Sequence, residues 1–334
     1  MTEKSAGAGP GEASSRNNPE KETPMTHRLR LIPLPRTLLL GLTAALVLMP
    51  LAAAPAGAVS TGNLVGGVNN DLTESDNNLI GGDDNDLTNS NSNAVSGEDA
   101  DLTNSNQNAV SGEDADLNNS DDNVVGGGDH ALTNSNENAV FGEDNSLENS
   151  GENVVGGEAH VLTNSDDNAV LGRNHALVNS DFNLVAGRDS LLEGDDNTVT
   201  GAAHTVVGDR NVVGGSGNIV SGSQAVALGV GAVAGDDDVA LGTGAQANAD
   251  DAVALGSGSV ASVANTVSVG DAGTERRVVN VAAAVNGTDA VNLDQLLALK
   301  AQLEALIAGH THTYLTGKGN GHNNTEATTG PAIP

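Results

Sequence analysis

Gly309-His310-Thr311-His312-Thr313-Tyr314 places two imidazoles one residue apart. Alternate side chains of an extended strand share a face, so His310 and His312 could ligate iron, nickel or zinc together. The competing reading is an exposed polar tail. Four other histidines, His130, His160, His175 and His204, occupy the eighth position of a repeated unit, which reads as a polar turn. On adjacent coils His160 and His175 could stack about 4.8 Å apart. Acidic turns, among them Gly82-Asp83-Asp84-Asn85-Asp86, Glu98-Asp99 and Glu113-Asp114, raise the question of calcium. Calcium-binding rolls use a nine-residue G-G-x-G-x-D pattern, whereas the period here is fifteen, so calcium is not expected. Catalysis finds no arrangement either. The chain has no Cys and no G-x-S-x-G, and Thr316-Gly317-Lys318-Gly319 lacks the flanking residues of a phosphate loop. The carboxylates recur in turns as a solvated acidic face, so no enzyme is expected.

The elements that would position these residues are set by periodicity. Asn63, Asn78, Asn93, Asn108, Asn123, Asn138, Asn153, Asn168 and Asn183 fall fifteen residues apart, each followed two residues on by Val or Ile and four on by Gly. Asn, Asp, Gly and Ser interrupt every helical turn, leaving two short strands per unit and predicting a parallel β-solenoid. Val65, Ile80, Val95, Val110, Val125, Val140, Val155, Val170 and Val185 form one inward ladder. Leu72, Leu87, Leu102, Leu117, Leu132, Leu147, Leu162, Leu177 and Leu192 form the opposite one. Gly67 through Gly187 mark a turn with positive φ or close backbone approach, and the Asn column is placed to bond coil to coil. The residue before each inward Val is also apolar: Leu64, Leu79, Ala94, Ala109, Val124, Ala139, Val154, Ala169 and Leu184. That column faces outward and predicts that several chains pack together along it. From Asn183 the spacing shortens to fourteen, at Asn197 and Asn211, and Asn218 arrives early.

Composition agrees with a thin core. Among 334 residues there is no Trp, one Tyr, two Phe and 43 Gly, too few large side chains for two thick layers. A formal charge of −31 argues against nucleic acid as a partner. At the N-terminus, His27, Arg28, Arg30 and Arg36 precede an apolar run from Leu38 to Ala54 and an Ala56-Gly57-Ala58 cleavage site. This reads as a secretory signal peptide with the mature chain starting at Val59; a membrane anchor is the alternative. Residues before Met25 are an N-terminal extension, or Met25 is the true start. No later segment is long and apolar enough to span a membrane as a helix.

Val226-Ala227-Leu228-Gly229 recurs as Val239-Ala240-Leu241-Gly242, Val253-Ala254-Leu255-Gly256 and Val267-Ser268-Val269-Gly270. These runs resemble the head repeats of the YadA-like trimeric autotransporter adhesins. Ser268 to Ala283 and Thr288-Asp289-Ala290-Val291-Asn292-Leu293-Asp294-Gln295-Leu296 resemble their neck, with Ala284 where the family pattern usually has Gly. The resemblance covers about residues 218–308 and implies a left-handed parallel β-roll, a homotrimer around one axis, and a neck feeding a coiled coil. It implies that Glu275, Arg276, Arg277, Asn280 and Asp289 lock the chains together at the neck. Leu296, Leu299, Leu303 and Leu306, three and four residues apart, form a seam too short to be stable alone.

The fold expected is therefore all-β: a β-roll of 14–15-residue repeats, then a neck and a short α-helical coiled coil. Residues 1–58 are extension and signal peptide, 59–217 the fifteen- and fourteen-residue repeats, and 218–270 the head repeats. The neck spans 271–292, the coiled coil 293–309, and the H-x-H tail 310–334. The membrane-spanning strands that normally end such adhesins do not occur in residues 309–334. The protein would then be released, held by a partner, or made by a cell without an outer membrane. The tail resembles segments of phage tail fibres and spikes that carry H-x-H metal sites. In a threefold assembly its imidazoles would surround one axial ion. Three functions follow: a secreted or surface-displayed adhesin head that binds host matrix, cells or other surfaces; a fibre or spike component with a metal-stapled tip; or a calcium-responsive matrix protein.

Overall fold

The computed structural model describes residues 61–309. Contacts divide this stretch after Glu275 into a β-roll and a neck with its helix. The roll consists of 27 short strands, two per coil in most coils, and every pairing is parallel to the equivalent strand of the next coil. Register follows the repeat: Leu64 pairs with Leu79, Leu184 with Thr198, and Val226 with Val239. Parallel, in-register stacking gives each backbone group a partner in the coil above or below, which is what short strands need to persist.

Both inward ladders exist as the spacing predicts. Ile80 and the Val column through Val185, and Leu87 through Leu192, are at most 3% exposed. Val65 and Leu72, in the first described coil, are partly buried against the same core. Each fully buried Leu contributes about 2 kcal/mol relative to exposure, so the core is thin but repeated many times.

Chain reversal is concentrated in left-handed residues, most of them Asn, Asp or Glu. Asp84, Asp99, Asp114, Asp129 and Asp144 have φ between 49° and 58°, and Asn89 through Asn179 form a second such column. Asn and Asp tolerate this conformation because a short polar side chain can bond locally. Much of the acidity at these turns is therefore backbone chemistry. The helix, α1, runs from Leu293 to Gly309 and buries none of its residues within the single chain.

Candidate functional site

The roll exposes apolar side chains beside both inward ladders: Val161, Leu191 and Ile219 on the Leu side and, on the Val side, the column just before each inward Val. Leu64, Val154 and Leu184 are exposed, as the sequence predicts for that column. Ala139 departs from it at 8% exposure, its methyl lying between the larger Val124 and Val154 on paired strands. A second outward column, two residues on, adds Phe141 and Leu171. Phe141 lies over Gly126, and Leu171 over Gly156, so each large side chain uses the space a glycine leaves.

Farther along, the balance of the core reverses. Val213 pairs with Ala227, so Ala227 takes the inward place, and Ala240 and Ala254 follow it at 0% exposure. Val226 and Leu228 face outward, and Leu228 and Leu255 are exposed. Methyl groups fill the core here while branched side chains line the exterior. A lone chain gains nothing from that exchange, whereas a chain packed against copies of itself does.

The neck residues make local contacts within the chain. Glu275 accepts a hydrogen bond from the Gly273 N–H at 3.0 Å, which holds its carboxyl below the usual range. Asp289 accepts from the N–H groups of Asn286 and Val285, both at 2.9 Å, and its carboxyl is likewise held low, chiefly by Asn286. Asn280 is left-handed at φ 62°, and Arg276 and Arg277 are exposed. Gln295 does what sequence reasoning missed. Its amide pairs both ways with Ala284, accepting from the N–H at 2.8 Å and donating to the carbonyl at 3.0 Å. Asn292 donates to the Val281 carbonyl at 3.1 Å and accepts from the Gln295 N–H at 3.2 Å as an N-cap. The seam residues Leu296, Leu299, Leu303 and Leu306 are all more than half exposed.

Comparison with known families follows the same geometry. The YadA head domain repeat matches twice, at residues 234–259 and 247–271, over the coils with the alanine core. The coiled stalk of trimeric autotransporter adhesins matches residues 277–313, over the neck and α1. The chain carries a YadA-like head and stalk. A third family, described as the grass antifreeze beta roll, matches residues 110–208 and 163–246. No curated protein matches the chain. Among solved structures, the polySia specific acetyltransferase NeuO aligns over 74% of this chain and 96% of its own at 11% identity, with a TM-score of 0.12, too low to carry an argument. YadA-like domains are adhesin modules rather than enzymes; they imply a homotrimer and point to a surface or extracellular location. Among the described residues no helix is long and apolar enough to cross a membrane, which says nothing of β-barrels.

Polar residues inside the roll are held by ladders. From Asn78 to Asn183 each Asn of the repeat column is buried, as with Asn138, whose Oδ1 accepts from the Asn153 N–H at 3.0 Å and side-chain amide at 3.1 Å. Its own amide donates to the Ser150 carbonyl at 2.8 Å. A second column, Ser75 through Ser180, is also fully buried. Ser105 Oγ accepts from the Ser120 N–H at 3.0 Å and donates to the carbonyls of Thr103 and Leu117. The sequence offered the unbroken recurrence of Ser as the signal for this column. Replacing Asn138 by Ala strands a buried N–H and a buried carbonyl, at about 1–3 kcal/mol each. Urea unfolding should therefore show a loss of about 2–6 kcal/mol. Asn134→Gly, which removes an exposed left-handed amide, should stay within about 0.5 kcal/mol.

The eighth position requires correction. His130, His160, His175 and His204 are not solvated turn residues: each is at most 1% exposed and points inward, in a column shared with Asn85, Ala100, Asn145 and Ser190. The reason is alternation, since the eighth residue lies two before the inward Leu and shares its face. His160 stacks on His175, as adjacent coils allow, with ring centroids 5.2 Å apart and planes 2° from parallel.

On the turn side, Asx side chains also bond coil to coil, as in Asp121 N–H to Asn136 Oδ1 at 2.7 Å and Asp166 N–H to Asp181 Oδ1 at 2.8 Å. Gly151 interrupts that line and leaves an open groove of about 420 Å³ beside Asn136, Glu152 and Asp166. The Asp101 carboxyl is pushed up by partial burial and then by Asp86 and Asp116 on adjacent coils. Among the described residues no group of three or more His, Asp or Glu is arranged to hold a metal ion. His310 and His312 lie outside the described residues.

Proposed function

We propose that this protein is the head of a secreted or surface-displayed trimeric adhesin, exported by cleavage near Ala58, that attaches to host matrix, cells or other surfaces. The observation that carries the reading is the inversion at Val226-Ala227-Leu228, where the bulky residues face out and the core is alanine. Such an exterior supports close packing of three chains around an axis, with Glu275, Arg276, Arg277, Asn280 and Asp289 fastening the neck. Attachment would then be spread over the roll, many weak contacts on each of three chains. Linked contacts of this kind raise avidity about 10²–10⁴-fold over a single one.

Ice binding, which the name of the antifreeze family evokes, gains no support from the outward columns of the matched region. The column just after the inward Leu, for one, reads Asn118, Thr133, Glu148, Thr163, Val178 and Glu193, with no uniform array of one side chain.

The test compares the chain from Val59 onward with the same chain lacking residues 63–217, each on surfaces coated with matrix proteins and on cultured cells. Retention of the first and loss in the second is expected. An intact trimer that is retained on none of these surfaces would sink the proposal.

A further inference from the structure

We propose that the buried histidine column makes the roll an acid-sensitive device, which loosens the coils between His130 and Asn218 while the coils without histidine hold. His130, His160, His175 and His204 present Nδ1 to the backbone N–H one coil on: Asn145 at 3.4 Å, His175 at 3.2 Å, Ser190 at 3.3 Å and Asn218 at 3.3 Å. Nε2 bonds the carbonyl four residues back in three of them, at Gly126, Gly156 and Thr200, at 3.2–3.3 Å. Nε2 of His175 has the Leu171 carbonyl as its neighbour but closes no hydrogen bond.

These partners fix one protonation state. Nδ1 accepts, Nε2–H donates, and the ring is neutral. A second proton would have to sit on Nδ1, where it would meet an N–H donor instead of an acceptor. The charge would also enter a core that excludes water. His160 and His175 would place two such charges face to face at 5.2 Å. The charged groups around the column differ by site. Asp129 and Asp144 face His130, which tempers the cost there, while His175 has Asp189 tempering it and His204 adding to it. His160 has carbonyls and His175 about it, and His204 has the carbonyls of Thr200 and Gly215. Those two rings are the weak points.

Burial lowers all four rings from the ordinary 6.5, and His160, pushed down by burial and then by His175, falls to about 4. The sign follows. Below pH 6.5 the unfolded chain takes up protons that the folded chain refuses, so folding stability declines as pH falls from about 6.5 towards about 4. Each refused proton raises the unfolding equilibrium about tenfold per pH unit. Carboxylates such as Asp101, Asp114 and Asp181, held high by burial and by neighbouring acidic groups, act with the opposite sign when they protonate.

The discriminating variant replaces all four histidines by Asn. Asn145 and Asn218 already occupy this column and accept from the next coil at 3.0 Å and 2.8 Å, so the ladder survives without a titrating ring. Urea unfolding of the full mature chain, followed by circular dichroism at pH 7.5 and pH 5, should show the wild type losing much of its midpoint and the variant little. Hydrogen exchange should place the acid-induced opening between residues 130 and 218. Equal losses in both proteins, or a wild type unmoved by acid, overturn the proposal. Should the variant fail to fold, imidazole NMR titration of the wild type decides instead. The four buried rings should resist protonation in the folded protein below their ordinary range, His160 most of all, and folded-state titration near 6.5 overturns the idea.

Discussion

Gly157→Val should abolish the native roll or cost more than about 4 kcal/mol, read as loss of the urea transition and of β signal by circular dichroism. Gly157 has φ +127°, and a Cβ built there lies 1.8 Å from the carbonyl oxygen of Gly172 and 2.7 Å from its carbonyl carbon. Neither atom can yield, because both belong to the backbone of the next coil. The same position in that coil repeats the problem, with Gly187 carbonyl oxygen 1.9 Å from a Cβ on Gly172. A displacement at one coil would therefore have to be passed along the column. Stacked repeats distribute strain to their nearest neighbours only, so the coils on either side lose their interfaces together. Gly217→Asn supplies the contrast. That residue is left-handed at φ +63° with nothing within 4 Å of its Cβ, and the substitution should stay within about 0.5 kcal/mol. If Gly157→Val unfolds no more easily than Gly217→Asn, the coil-to-coil backbone contact is not what the glycine column preserves.

That column was legible in the sequence for the same reason that it is intolerant: one residue type satisfies it. The inward Val and Leu ladders were equally plain, because a fifteen-residue period returns each side chain to the same environment. The eighth position was harder. Asn85, Ala100, His130 and Ser190 all fill it, since a thin core accepts a small apolar group or a polar one with a partner on the next coil. Variety of that kind imitates a turn. The alternation relative to Leu87 and Leu132 carried the correct direction, and it outranks residue type. The acidic turns carried a backbone signal besides charge: Asp84, Asp99 and Asp114 are left-handed, a conformation that Asp tolerates. The VALG runs showed a head without showing which residue faced in. Only the pairing of Val213 with Ala227 places the alanine inside. Contacts such as Gln295 with Ala284 had no periodic signal to announce them.

Leu299→Asp together with Leu303→Asp should convert a trimer into monomers in sedimentation equilibrium at micromolar concentration, with much of the helical signal lost. The helix α1 is 17 residues long and buries no side chain of its own chain. Isolated helices near 12–15 residues are marginal in water, so α1 depends on partners. The ion pair Lys300 with Glu304 at 3.5 Å is exposed on both sides and adds at most about 0.5 kcal/mol. The leucines at 296, 299, 303 and 306 alternate by three and four, the spacing of a coiled-coil seam. Burying each in a trimer interior gains about 2 kcal/mol. Two Asp layers would replace that gain with three carboxylates crowded at each level, which cannot all stay ionised without water. A conservative pair, Leu299→Ile and Leu303→Ile, keeps the apolar volume and should leave the trimer intact. Were the Asp variant still trimeric, the outward faces of the roll would have to hold the chains together on their own. In that case Leu228 and Leu255, exposed in the single chain, become the next residues to replace, and their loss should separate the subunits where the helix mutations did not.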